Sequence, residues 1–295
     1  MPLLNLRRLR APLMVPMNKP HYLDSAIKIR PDGVVLDLED SIPPAAKREA
    51  AAEVPAAVAK MRQAALPCFV RVNRGDDEDI AACLREPPDG LFLPKTETAA
   101  EILMLRQHLD AAGAKGRLRL VAMIETPLGL LECREIAAVL PPGSGLMFGS
   151  LDFSEAMEMA SDVATLRMPA FTVCVVARAF GHIPLGLPGL ISNFEDLDAL
   201  RALAVEARNL GFAGAPTIHP AQVPVIREVF TPDAAAIAAA RQAVAAYDSQ
   251  GGGLAVVEGR FVEQATYRRA LELLWSCDEP KRAPRMPDTA RGQHE

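Results

Sequence analysis

The polar residues with chemistry to offer are Glu39, Asp40, Arg71, Asn73, Lys95, Glu125, Asp152, Asn193 and His219. Each follows a short apolar run rich in Val, Ile, Leu or Phe, so each falls where a buried strand ends. Charged groups are costly to desolvate unless they are paired or bound to a metal. Several carboxylates with an arginine and a lysine around one mouth therefore point to a metal site. Glu125 and Asp152 close neighbouring runs. Two carboxylates, with waters and substrate oxygens completing an octahedron, suit Mg2+, whereas zinc would call for His or Cys ligands. Histidine is scarce here. Position alone leaves Glu125 and Asp152 as metal ligands or as structural ion-pair partners. Likewise Arg71 neutralises acids or binds an anion, and Lys95 pairs with Glu97 or serves the site. His219, ahead of a proline, reads first as an ordered loop residue. No Ser/His/Asp order, nucleophile elbow, Walker loop or dinucleotide fingerprint is visible.

The apolar runs that must position these side chains are residues 12–16, 33–38, 68–73, 90–94, 118–124, 145–149, 187–192 and 214–218. Ala-rich amphipathic stretches separate them, clearest over 45–62, 98–109, 171–180 and 195–210, with apolar residues near a 3.6 period. Alternation of this kind builds a parallel sheet from βα units. Eight such units read as a TIM (β/α)8 barrel over residues 1–230, with the active site built by the loops after the strands. A doubly wound open sheet is the alternative, and the count of eight and the chain length speak for the barrel. Beyond it, Phe230-Thr-Pro-Asp233 opens a helix over 234–247, and Gly251-Gly-Gly253 forms a joint. A strand-like run over 254–257 and a helix over 263–275 complete a C-terminal helical extension spanning 231–277. Residues 278–295, with three prolines, alternating charge and almost no apolar side chains, are expected to be disordered.

Half of the residues are hydrophobic, enough for a substantial core. The formal net charge of -5, without a Lys/Arg-rich face, argues against nucleic acid or an anionic membrane as partner and leaves small molecules. Five cysteines, an odd number without a C-x-x-C pair, suggest neither a disulfide framework nor a zinc site, and a reducing cytoplasm is expected. No export signal and no run of about 18 apolar residues is found.

The run Val35-Leu-Asp-Leu-Glu-Asp-Ser-Ile-Pro-Pro44, with Lys47, resembles the "DLEDSVPP..K" motif of citrate lyase beta subunits, malyl-CoA lyases and their relatives, the HpcH/HpaI aldolase family. Val70-Arg-Val-Asn73, Leu93-Pro-Lys95, Ile124-Glu-Thr126, Phe148-Gly-Ser-Leu-Asp-Phe153 and Ile218-His-Pro-Ala-Gln222 match further family motifs in order, and the resemblance spans residues 10–275. It implies a Mg2+-dependent (or Mn2+-dependent) carbon–carbon lyase that cleaves a 3-hydroxyacyl-CoA of citramalyl-CoA or malyl-CoA type into an acyl-CoA and a 2-oxo acid. Glu125 and Asp152 would bind the metal. Arg71, Glu125, Asp152 and Lys19 would contact substrate, with Asp40, Glu39 and Lys95 standing behind them and Asp40 orienting metal-bound water. Family members carry a C-terminal Asp that reaches a neighbouring subunit, where this chain has Gly259-Arg-Phe-Val-Glu263. Glu263 is thus the expected acid/base, in a homotrimer or higher homo-oligomer.

The departures fall on the thioester half of the substrate. The family's "F-x-P-G-x-R-P" is Met14-Val-Pro-Met-Asn-Lys-Pro20 here, which keeps a cation only at Lys19. A lysine common six positions on is Ser25, the Asp of a "DG" pair is Pro188, and a "GK" pair is Gly214-Ala215. Metal and oxo-acid recognition thus look intact and CoA recognition altered. This leaves room for a CoA-independent 2-oxo-acid aldolase, or for a citrate lyase-type subunit that works with an acyl-carrier partner.

Overall fold

The structure, a computed structural model, describes residues 4–277. Seven short parallel strands follow one another in chain order: β1 (Leu13–Pro16), β2 (Val34–Asp37), β3 (Cys68–Arg71), β4 (Gly90–Leu93), β5 (Arg119–Ile124), β6 (Gly145–Phe148) and β7 (Ile183–Gly186). Residues 213–217 take the eighth place. On one side Ala213 N–H donates to Pro184 O (2.9 Å) and Gly186 N–H to Gly214 O (2.9 Å). On the other, Thr217 N–H donates to Pro12 O and Met14 N–H to Thr217 O, both at 2.8 Å. These bonds close the sheet on itself, so the barrel has no free edge.

Two of the expected strands differ. The eighth is a pair of isolated bridges, Leu185↔Gly214 and Leu13↔Thr217, instead of a continuous ladder. The seventh lies at Ile183–Gly186, not at residues 187–192, which form a loop. Ile-Pro-Leu-Gly reads as a turn because proline and glycine punctuate it. Pro184 lacks an N–H, yet its carbonyl still accepts from Ala213, so it holds its place beside the bridging segment. The apolar residues after it line a cavity, which gives them the hydrophobicity of a strand without the pairing.

The helices of the barrel are α1 (Tyr22–Ile29), α2 (Lys47–Gln63), α3 (Asp77–Arg85), α4 (Ala99–Ala111), α5 (Pro127–Leu131), α6 (Cys133–Val139), α7 (Ser150–Ala156), α8 (Val163–Ala179), α9 (Leu197–Leu210) and α10 (Gln222–Phe230). Side-chain oxygens cap several of them: Asp76 on α3, Thr98 on α4, Thr126 on α5, Asp162 on α8 and Asp196 on α9. Helix α8 begins well before the expected residue 171, because Pro169 lies inside it and masks its first turns.

Alternation along the strands sorts the core into two layers. Val34, Leu36, Val70, Leu91, Leu93, Leu120, Ala122 and Leu146 face the helices. Val35, Phe69, Phe92, Val121, Met123, Met147, Ile183 and Leu185 fill the barrel together with Leu6 and Leu9, which plug it from the N-terminal segment. Arg119 Nε fixes that plug by donating to Leu4 O (2.8 Å).

The chain divides into two compact units after Phe230. The second contains α11 (Ala234–Ser249), the antiparallel hairpin β8 (Ala255–Val257) and β9 (Arg260–Val262), and α12 (Gln264–Ser276). Its own core includes Ala240, Val244, Ala255, Val262, Ala270 and Leu274. The joint glycines 251–253 all have positive φ, which side-chain-bearing residues adopt at a cost. Residues 278–295, expected to be disordered, lie outside the described residues. Among those described, no helix is long and apolar enough to cross a membrane.

Candidate active site

The same alternation that turns Val35, Phe69 and Val121 inward also turns Asp37, Arg71 and Glu125 inward, two and four residues further along their strands. They stand above the apolar plug, at the C-terminal mouth of the barrel, where the loops of this fold build sites. Asp37 and Arg71 are register partners on β2 and β3, so their side chains meet. Arg71 donates from Nε to Asp37 Oδ1 (2.6 Å) and from Nη2 to Asp37 Oδ2 (2.8 Å), a bidentate pair. Burial opposes both charges. The Arg71 hydrogen bond and charge, with Ser41 O–H and Glu39 N–H, nevertheless hold the Asp37 carboxyl below its ordinary value. Conversely, burial lowers the Arg71 guanidinium, and Asp37, then Glu39 and Glu125, more than offset this and raise it. Both groups are therefore ionised, and the arginine is fixed in orientation with its Nη1 facing Glu39 and the mouth.

Lys95, in the loop after β4, is the second junction. Its ammonium lies against Glu39 Oε1, 3.1 Å from Asp40 Oδ2 and 3.4 Å from Asp152 Oδ1. Burial alone would lower it, and these carboxylates raise it. Its backbone is left-handed (φ 48°), a conformation that costs a residue with a Cβ about 1–2 kcal/mol. That turn aims the Lys95 N–H at Glu125 Oε1 (2.7 Å) while its side chain reaches across to Glu39. Burial raises the Glu39 carboxyl despite Arg71 and Lys95. Its Oε2 lies 2.8 Å from Arg71 Nη1 but out of line for a hydrogen bond, so one buried oxygen is left unsatisfied.

Glu125 directly follows β5 and is 1% exposed. Burial first, then the charge of Asp152, pushes its carboxyl up to about 7 against the pull of the Lys95 N–H. Asp152 sits in the first turn of α7, an acidic residue where the helix dipole favours one. Space for the Glu125 carboxylate depends on Gly149, since a Cβ there would lie 2.3 Å from Oε2. These groups share a cavity of about 470 Å³ whose lining contains the carboxylates of Asp37, Asp40, Glu125 and Asp152 but a single cation, Arg71, already engaged by Asp37; Lys95, behind the lining, reaches Asp40 and Asp152 and still leaves the acids in excess. That excess of negative charge, on hard oxygen donors without a histidine or cysteine in the lining, fits a divalent cation such as Mg2+. Among the described residues no group of three or more His, Cys, Asp or Glu is poised to hold a metal. A pair of carboxylates suits an ion that keeps water or substrate oxygens in its other positions.

A larger hollow, about 670 Å³, lies beside α3 and α4. Its arginine, Arg74, is spent on Glu97 and Glu101, and none of its carboxylates is buried.

The structure thus brings Glu39, Asp40, Arg71, Lys95, Glu125 and Asp152 together. Asn73 turns away: it accepts from Lys47 and donates to Leu38 O (3.0 Å) and Asp79 Oδ2 (2.8 Å), tying two loops. Lys19 is exposed, near the Tyr22 ring, and is absent from the cavity lining. Asn193 is exposed, and His219 stacks on Phe194 while its Nδ1 accepts from Ala221 N–H. Glu263, in the second unit, is an exposed N-cap of α12 whose side chain makes no capping bond. Reading the strand ends alone overlooked Asp37, Ser41 and Gly149. Strand parity was the available signal for Asp37, because it places residue 37 on the face of residue 35.

Fold and site together define a (β/α)8 barrel with a carboxylate pair and a captured arginine at its C-terminal mouth. The model of the family "HpcH/HpaI aldolase/citrate lyase" matches residues 10–220, and the chain belongs to that family. It is 32% identical over 264 residues to a (3S)-malyl-CoA thioesterase of Cereibacter sphaeroides, covering 86% of this chain and 89% of that one. It is 30% identical to an L-malyl-CoA/beta-methylmalyl-CoA lyase of Rhodobacter capsulatus, covering 88% and 92%. Among solved structures, the protein CitE of Mycobacterium tuberculosis in complex with magnesium, acetoacetate and coenzyme A superposes with a TM-score of 0.68 at 29% identity, covering 93% of this chain and all of that one. A citrate lyase beta subunit from the same organism, complexed with oxaloacetate and magnesium, gives 0.65 at 28% identity, covering 78% and 100%.

Proposed function

We propose that the protein is a Mg2+-dependent carbon–carbon lyase that cleaves a 3-hydroxyacyl-CoA of citramalyl-CoA or malyl-CoA type into an acyl-CoA and a 2-oxo acid. The observation that carries this reading is the buried Glu125 carboxylate close to Asp152 and to a charge-paired Arg71. Such a pair is costly to bury unless a cation completes it. Glu125 and Asp152 would hold Mg2+, which when bound supplies positive charge to the oxygens of an oxo acid. Asp37 fixes Arg71 so that its Nη1 face can bind the oxygen that becomes the 2-oxo carbonyl. Lys95 holds Glu125 through its N–H and Glu39, Asp40 and Asp152 through its ammonium, and so keeps the acids in register.

In the cleavage direction a base takes the 3-hydroxyl proton, the C2–C3 bond breaks, and its electron pair moves onto the thioester as an enolate that is then protonated. Glu263 of a second copy is the proposed acid/base, and its exposed, uncapped carboxylate supports that role. The apolar stripe of Met168, Phe171 and Val175, spaced three and four residues apart and exposed on α8, supports assembly with other copies.

The likeness to malyl-CoA thioesterases favours one competing reading, hydrolysis of the thioester. Incubation of the full chain with malyl-CoA or citramalyl-CoA and Mg2+, followed by mass spectrometry, separates the two. Acyl-CoA plus 2-oxo acid is the expected outcome. Free CoA plus the intact hydroxy acid would replace the lyase with a hydrolase. Turnover of free hydroxy acids only would mark a CoA-independent aldolase, and activity appearing only with an acyl-carrier partner would mark a citrate lyase-type subunit.

A further inference from the structure

The charged groups of the cavity occupy only part of its rim. Asp37 and Arg71 come from β2 and β3, Asp40 from the loop after β2, Glu125 from the position directly after Ile124 of β5, and Asp152 from the start of α7. The remaining arc, from β7 through residues 213–217 to β1, presents Leu187, Leu190, Ile191, Pro216 and Ile218 to the same space. Its polar side chain is the hydroxyl of Ser192, and no cation lines it. The arc is a built wall. Gln222, fully buried, donates from Nε2 to Ile191 O (2.7 Å) and accepts at Oε1 from Ile218 N–H (2.9 Å) and His219 N–H (3.2 Å). Ser150 Oγ pins the same loop from the other side through Gly189 O (2.8 Å). One side chain thus holds Ile191 and Ile218 at fixed positions, across the cavity from the charged half.

This division decides what the cavity can receive. A 2-oxo acid presents its carboxylate and carbonyl to the charged half, so its substituent meets the apolar arc. A second carboxylate there would be desolvated against aliphatic side chains with no cation to pair with, which costs far more than a methyl or ethyl group gains. We infer that Leu187, Leu190, Ile191, Pro216 and Ile218 select a monocarboxylic 2-oxo acid with an aliphatic substituent, in preference to glyoxylate or a dicarboxylic oxo acid. The inference rests on the oxo-acid lyase reading above and adds the substrate class.

The test is calorimetric binding to the full chain with saturating Mg2+ and no CoA, using glyoxylate, pyruvate, 2-oxobutyrate, 2-oxoisovalerate and oxaloacetate. Each added carbon should tighten binding up to roughly fourfold, the value of one buried methylene. Oxaloacetate should bind more weakly than 2-oxobutyrate. Ile218 is 47% exposed, so Ile218→Arg should fold, and it should bring oxaloacetate ahead of 2-oxobutyrate. Ile191→Ala, a milder change in the same wall, should flatten the aliphatic series. A flat series in the unmodified protein, or a preference for oxaloacetate, overturns the inference while leaving the lyase reading standing. In a parallel titration with acetyl-, propionyl- and butyryl-CoA and no oxo acid, a gain that appears only along that series assigns the wall to the acyl half and overturns it as well. Failure of every oxo acid to bind in the presence of Mg2+ removes the lyase reading itself, and this inference with it.

Discussion

Glu125→Gln removes one charge from the cavity while keeping an acceptor for the Lys95 N–H. The Glu125 carboxyl titrates at about 7 in the fold against an ordinary 4.5, chiefly because it is buried and secondly because Asp152 repels its anion. Between those two values the folded chain keeps a proton that the unfolded chain has lost. Stability therefore falls as pH rises through the window and is flat above it. At about 1.4 kcal/mol per unit, the raised carboxyl costs the metal-free protein about 3 kcal/mol at pH 8 and little at pH 4.5. The metal-free variant should accordingly match the unmodified protein near pH 5 and exceed its stability by up to about 3 kcal/mol at pH 8. Mg2+ should reverse the order at pH 8: a ligand at about 1,000 times its Kd adds about 4.1 kcal/mol to a protein that binds it, and nothing to one that does not. Urea denaturation at pH 5, 6, 7 and 8, in EDTA and in Mg2+, measures all of this. A variant less stable than its parent at pH 8 without metal, or a parent unmoved by Mg2+, would refute the reasoning.

Three further changes probe the parts around that carboxylate. Asp37→Asn keeps the size but removes the charge that fixes Arg71; it should cost about 3–5 kcal/mol in urea denaturation, as a broken buried pair does, and lower kcat more than it raises KM. Gly149→Ala puts a methyl group 2.3 Å from Glu125 Oε2, and Mg2+ titration should report affinity lower by about 10–100-fold with the fold retained by circular dichroism. Leu9→Ala should cost about 2–5 kcal/mol in thermal or urea unfolding by hollowing the plug, with Mg2+ affinity unchanged because the plug lies at the other end of the barrel.

Much of this was legible in the chain itself. Strand-like runs with period-two alternation, separated by amphipathic helices, are local patterns, and six of the eight runs became strands within two residues of their expected limits. Glu125, Arg71 and Lys95 were legible because a charged residue directly after an apolar run has nowhere to go but the mouth. The first C-terminal helix announced itself through its start signal, and Asp233 does cap it. The seventh strand was misplaced because its pairing on that side is with Ala213 and Gly214, partners that neither its own proline and glycine nor the apolar loop behind it reveals.

Only the closed barrel decided the rest. Asp37 looks like one more apolar-flanked acid in Val35-Leu-Asp-Leu-Glu-Asp40 until register sets it beside Arg71, 34 residues away. Lys95 gains its meaning when β2, β4 and the start of α7 come together and one ammonium meets Glu39, Asp40 and Asp152. Asn73, which the sequence offers on equal terms with these, is spent on loop contacts, and so is His219, which reads first as a loop residue. The physical reason is the range of the forces: propensity and alternation act over a few residues and are written in sequence, while burial, ion pairing and the raised Glu125 carboxyl depend on groups brought close only when the strands curl into a ring.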